Sequence, residues 1–232
     1  MEIPLFLAIS QQEMASCSHI PQNVAWLGCH FSETAPDLTG FPTHLPENSF
    51  LIIDDSVPIL NHDPNRIVRQ TAQIVSNCGC KGVLLDFQRP PQAQSIQMVQ
   101  ALLELPCPVG VAELYAKELD CPVFLSPIPP TCPPEKYLGP WHRREIWMDL
   151  SCSPTQITVT AKGSQTTPLT QMNGALPHRD QALCCHYRIE KYDSEIRFLV
   201  QRTEEDLTAL IKKCRSHGVT QAFGLYQELG NK

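Results

Sequence analysis

The chain has no clustered run of lysine and arginine, no apolar stretch near the roughly 20 residues that cross a bilayer, and no C-x-x-C pair among its eleven cysteines. Phosphate backbones are held by basic clusters that displace counterions. With 18 Lys and Arg against 24 Asp and Glu, a net charge of −6 and a pI near 5.7, the chain offers nucleic acid no such surface. Without such a segment no membrane insertion is expected, and without the paired spacing no structural zinc site is expected. Cys78 and Cys80, Cys29-His30 and Cys184-Cys185-His186 come nearest to metal motifs but do not make one, so no metal and no cofactor is expected. The start, Met1-Glu2-Ile3-Pro4 and an apolar run to Ile9, has no basic residue ahead of it and reads as a strand rather than a leader. The expectation is therefore a cytoplasmic protein whose odd number of cysteines stay reduced and pack as small core residues.

What the chain does contain is an alternation of strand and helix signals. Its 232 residues, 42% of them hydrophobic, suffice for one substantial core, so residues 1–232 read as a single domain. Apolar runs at Leu5–Ile9, Val24–Cys29, Phe50–Ile53, Gly82–Gln88, Val109–Ala112, Val123–Leu125 and Ile146–Leu150 have the character of buried strands. Ala222–Tyr226 supplies an eighth. The best-marked helix has Asp63 as its cap, Pro64 at its first position and Gly79 as its stop. Another surrounds Ile96, Val99, Leu102 and Leu103. A third is capped by Thr203, carries Glu204, Glu205 and Asp206 in its first turn, and ends before Gly218. The pattern predicts an α/β fold, a TIM-type (β/α) barrel, irregular because no helix signal follows the first two strands. Period-two alternation at Ile157–Thr160, Cys185–Ile189 and Ile196–Val200 predicts an antiparallel β insertion over 151–202, before the last helix and strand. The polar stretch Ser164–Asp180 reads as a surface loop.

Parallel barrels build their sites at the carboxyl ends of the strands. Asp54, Asp55, Asp86, Gln88, Glu113, Asp149, Tyr226 and Glu228 stand at or just past such ends, a set suited to carbohydrate or cation binding. In Gly82–Gln88 the period of two puts Leu84, Asp86 and Gln88 on one face and Val83, Leu85 and Phe87 on the other. The apolar set belongs against the helices, so Asp86 and Gln88 face the mouth, about 7 Å apart along the strand. Plainer roles compete: a strand-end aspartate satisfied by backbone donors, paired acids as turn formers, Glu113 as a solvated loop charge. His30, His62 and His186 are potential metal ligands or proton relays that no spacing joins. Trp26, Trp141 and Trp147 either stack on sugars or fill the core.

The run Lys81-Gly82-Val83-Leu84-Leu85-Asp86-Phe87-Gln88 resembles the fourth-strand signature of the chitinase-like (family 18) glycoside hydrolases, Asp-Gly-x-Asp-x-Asp-x-Glu. It is most similar to the Gly-Val-x-Ile-Asp-Phe-Glu form of the spore-cortex members. In outline the resemblance runs from Ser49 to Gly230. It implies that Asp86 matches the aspartate that orients the substrate's N-acetyl group, and that Gln88 takes the place of the proton-donating glutamate. Lys81 and Leu84 stand where the two earlier aspartates are absent, and Tyr226 would replace a final-strand tryptophan. Such enzymes use the sugar's own acetamide as nucleophile while the acid protonates the leaving oxygen. Glutamine cannot supply that proton, although its amide still donates and accepts hydrogen bonds. The resemblance thus implies a glycoside-hydrolase-like protein that holds a saccharide or glycan-derived ligand without cutting it. Two alternatives stay open: a divergent glycosidase whose acid is Glu113, Asp149 or Asp55, and a non-enzymatic assembly protein.

Overall fold

The computed structural model describes residues 2–230. The first half contains β1 (Leu5–Ile9), α1 (Gln11–Ser16), β2 (Val24–Phe31), β3 (Leu38–Thr39), β4 (Phe50–Asp54), α2 (Pro64–Cys78), β5 (Gly82–Asp86) and α3 (Ala93–Leu102). There follow β6 (Val109–Ala112), α4 (Glu113–Ala116), β7 (Val123–Leu125), α5 (Pro134–Leu138) and β8 (Ile146–Leu150). The remainder comprises β9 (Thr155–Thr160), β10 (Gly163–Pro168), β11 (His178–Asp180), β12 (Cys185–Lys191), β13 (Glu195–Gln201), α6 (Glu204–Arg215), β14 (Val219–Leu225) and α7 (Tyr226–Leu229).

Parallel pairing runs in the order β2, β4, β5, β6, β7, β8, β14, β1, and β1 pairs again with β2. Eight strands therefore close into a TIM-type barrel. Closure leaves every strand one inner and one outer face, and the side chains divide accordingly. Phe6, Ala8, Ala25, Phe50, Ile52, Leu84, Phe124, Trp147 and Phe223 form one buried cluster, the filling of the barrel. Phe50 lies edge-on to Phe6, Trp147 and Phe223, with ring centroids 4.7, 5.0 and 5.2 Å away. Val83, Leu85 and Phe87 belong to a second, larger cluster with Ile67, Val75, Met98 and Val99 of the helices.

The helices start where the sequence marks them. Asp63 accepts from the Asn65 N–H at the head of α2, and Gly79 ends it in the left-handed conformation at φ 63°. Thr203 and Asp206 complete a reciprocal cap on α6. The first strand does have a helix after it: Ser10 and Glu13 cap the six residues of α1. None of those six is buried, so no apolar periodicity announced them. No helix lies between β2 and β4, where the short β3 pairs antiparallel with the end of β2.

The insertion is a five-stranded antiparallel sheet in the order β10, β9, β13, β12, β11. Residues 163–168 and 178–180, read from sequence as parts of a surface loop, are its two edge strands. Every residue of β10 is exposed, so its hairpin pairing with β9 rests on backbone hydrogen bonds that leave no hydrophobic pattern. The buried guanidinium of Arg202 ties the sheet to the barrel, donating to the carbonyls of Ile128 (2.5 Å) and Cys184 (3.2 Å). The final strand ends at Leu225, and Tyr226 opens α7.

Gly110 shows how tightly the barrel is filled. A Cβ there would lie 2.1 Å from Cε3 of Trp147. Overpacking a core costs about 1–3 kcal/mol, so Gly110→Ala should lower the unfolding free energy by that amount and shift the urea midpoint down at an unchanged slope. A wild-type midpoint would contradict this packing.

Candidate functional site at the barrel mouth

On β4, β5 and β8 the inner residues just below the mouth are apolar, and those one step beyond, at the carboxyl ends, are polar. Ile52 and Leu84 fill the barrel, and Asp54 and Asp86 follow them two residues later on the same faces. They are register partners on adjacent strands. Trp147, also in the filling, is followed in the same way by Asp149. Three carboxylates from β4, β5 and β8 thus top an aromatic and aliphatic layer. Leu84, which stands where the resembled motif has an aspartate, is 1% exposed and leaves Asp86 above apolar neighbours rather than a second acid.

That environment sets the electrostatics. Burial pushes the Asp86 carboxyl above its ordinary range, the Gln88 hydrogen bond opposes this, and the charges of Asp54 and Asp55 add to it. Burial drives Asp149 further, up to about 7, against the Leu150 N–H that donates to it, with Asp86 and Glu228 adding repulsion. The charge of Asp86 acts on Asp149, which links β5 to β8 electrostatically. Gln88 is exposed, and its side-chain amide donates to Asp86 Oδ1.

The other sequence-selected residues take different places. Asp55 is buried, accepting from the backbone N–H of Gln88 (2.8 Å) and of Arg89 (3.0 Å). It pins the loop after β5 and so fixes where Gln88 stands. The Arg89 guanidinium donates to the carbonyls of Asp55 and Ser56, which commits that cation to the loop after β4. Glu228 accepts from Ser151 Oγ (2.8 Å), the Cys152 N–H (2.7 Å) and Ser153 Oγ (2.7 Å), fastening the start of the insertion. Glu113 begins α4, and its charge acts on Tyr137, whose hydroxyl is pushed up to about 12, mainly by burial. Tyr226 packs against the outer cluster. On β14 it is Leu225 that shares the inner face of Phe223, and it is 39% exposed.

Among the three histidines, His62 Nε2 donates to the Ser32 carbonyl (3.2 Å) and His186 Nδ1 pairs with Asp206 (2.7 Å). His30 is a register partner of Asp54 and joins the mouth, although no sequence spacing linked it to the acids. Among the described residues no three metal-ligating side chains are grouped to hold an ion, and no helix is long and apolar enough to cross a membrane. Beside the mouth, a hollow of about 480 Å³ opens between the loops after β2 and β4, bounded by Ser32, Thr34, Val57, Leu60 and His62.

Asp149 makes stability pH-dependent. Its carboxyl titrates near 3.8 ordinarily and at about 7 in the fold, so the folded state binds the proton more tightly. The stabilisation is full below the ordinary value and is lost as pH rises through about 7. Denaturation midpoints taken across this range should fall less steeply for Asp149→Asn than for wild type. Parallel curves would show that the group is not desolvated.

No protein-family model matches the sequence, and no curated protein matches it. The fold does have solved counterparts. The spore cortex-lytic enzyme SleL of Bacillus cereus superimposes with a TM-score of 0.57 at 10% identity, over 88% of this chain and 63% of that one. SleL of Bacillus megaterium QM B1551 gives 0.51 at 10% identity, over 91% and 64%. A chitinase from Chromobacterium violaceum ATCC 12472 gives 0.57 at 11% identity, over 96% and 93%. The chain thus spans 63% and 64% of the two SleL chains. The chain shares the fold of these structures, a closed parallel (β/α) barrel.

Proposed function

We propose that the protein binds a saccharide or glycan-derived ligand at the barrel mouth and does not cleave it through residue 88. The observation that carries this reading is the Gln88 amide bonded to Asp86 at the open end of β5. A carboxamide there arranges hydrogen bonds as a glutamate would but has no proton to give to a leaving oxygen. Losing a general acid costs about 10²–10⁴-fold in rate. The support is threefold: the position of the pair at the strand ends, where barrels place ligands; the acceptors of Asp54, Asp86 and Asp149, suited to hydroxyl and amide donors; and a fold shared with a chitinase and with spore cortex-lytic enzymes.

One observation favours a second reading, a divergent glycosidase. Asp149, held at about 7, retains a proton near neutrality and so meets the first requirement of a general acid. Of the three acids open to that role from sequence, Asp55 is engaged by two backbone N–H groups and Glu113 acts on Tyr137.

Calorimetric titration with N-acetylated chito-oligosaccharides, run beside a hydrolysis assay, separates the two. The first reading predicts binding by wild type, binding at least about tenfold weaker for Asp86→Asn, and no turnover. Turnover by wild type that Asp149→Asn abolishes would establish the second reading instead. No binding and no turnover would sink both in their saccharide form.

A further inference from the structure

Strand β2 changes face partway along. Ala25 and Leu27 belong with the barrel filling, so unbroken alternation would send Cys29 inward and His30 out to the helices. The structure has the reverse: Cys29 and Phe31 are fully buried in the outer cluster, and the pairing with β4 skips a residue between Leu27 and Cys29. Gly28 is the extra residue of a β-bulge, a device that re-aims the side chains after it. As a result His30 turns inward at the mouth, between Thr39 of β3 and Asp54 of β4.

The bulge is specifically built. A Cβ on Gly28 would lie 2.7 Å from Trp26 Nε1 and 3.1 Å from the Gly40 carbonyl oxygen, and one on Gly40 would lie 1.8 Å from the Gly28 oxygen. Gly40 itself has a φ of 75°. The Trp26 indole donates to the Gly40 carbonyl (2.8 Å), locking the two glycines together. Finally, His30 Nδ1 lies 3.0 Å from the Gly28 carbonyl oxygen. A carbonyl only accepts, so Nδ1 carries the proton, and in the neutral ring Nε2 is left as an acceptor.

We infer that His30 is a further ligand-contacting residue of the mouth, its Nε2 accepting a hydrogen bond from a hydroxyl or amide of the saccharide that Asp86 holds. This rests on the saccharide-binding reading and extends the contact surface from β5 across β4 to β2. Trp26, Gly28 and Gly40 are positioning residues: they touch no ligand and set the direction of the imidazole.

The test uses the whole chain and N-acetylated chitotetraose as probe, with wild type, Asp86→Asn, His30→Phe and His30→Gln compared by calorimetry and melting. Loss of one neutral hydrogen bond predicts binding about 3- to 10-fold weaker for His30→Phe at an unchanged melting midpoint. His30→Gln, which keeps a side-chain acceptor, should recover most of the loss. Long-range ¹H–¹⁵N spectra should show His30 with its proton on Nδ1, and the Nε2 resonance moving on saturation with the probe. If wild type binds and Asp86→Asn does not, yet both His30 variants bind like wild type, the inference is wrong while the saccharide-binding reading stands. A proton on Nε2 in the free, neutral ring would overturn it as well. If wild type does not bind, both fall together.

Discussion

In a closed barrel each strand has one side turned to its neighbours across the lumen and one to the helices, and there is no third place for a side chain to go. Here the lumen is occupied by Phe6, Phe50, Phe124, Trp147 and Phe223 around Ile52 and Leu84. Gly110 gives Trp147 the space that a side chain would take. Between the ends of the barrel this filling is apolar. The chemistry of the protein is confined to the next inward residue of each strand, and this is why Asp54, Asp86, Asp149 and His30 come together from strands far apart in sequence.

The same filling determines how those groups behave. Carboxylates set above an aromatic layer lose hydration, and with Arg89 committed to the backbone of the loop after β4 they gain no compensating cation from it. Asp86 and Asp149 therefore shift upward, and the charge of Asp86 raises the cost of ionising Asp149. Gln88 fits this setting better than an acid would: its amide gives Asp86 a donor, where a glutamate would add one more negative charge. Under the proposed reading, residue 88 holds a ligand and transfers no proton to it.

Much of this was legible in the sequence, and the parts that were not share a cause. The direction of Asp86 and Gln88 could be read because Gly82–Gln88 is an uninterrupted strand run whose alternate residues sort into two chemical classes. The long helix α2 announced itself through Asp63, Pro64 and Gly79. By contrast α1 buries nothing and β10 exposes everything, so neither had a periodicity to find. Asp55 owes its place to hydrogen bonds with residues 33 and 34 positions away, which no local pattern records. His30 was hidden by the bulge at Gly28. Counting in twos from Ala25 points it at the helices, and only the contact of Gly28 with Gly40, twelve residues on, reverses that direction.

The central claim is that β5 and β8 place Asp86 and Asp149 in one desolvated unit at the rim. A ¹³C carboxyl NMR titration of Asp149, in wild type and in Asp86→Asn, tests it most directly. The account predicts a midpoint of about 7 that moves down once the neighbouring charge is removed. A midpoint in the ordinary aspartate range, the same in both proteins, would contradict it.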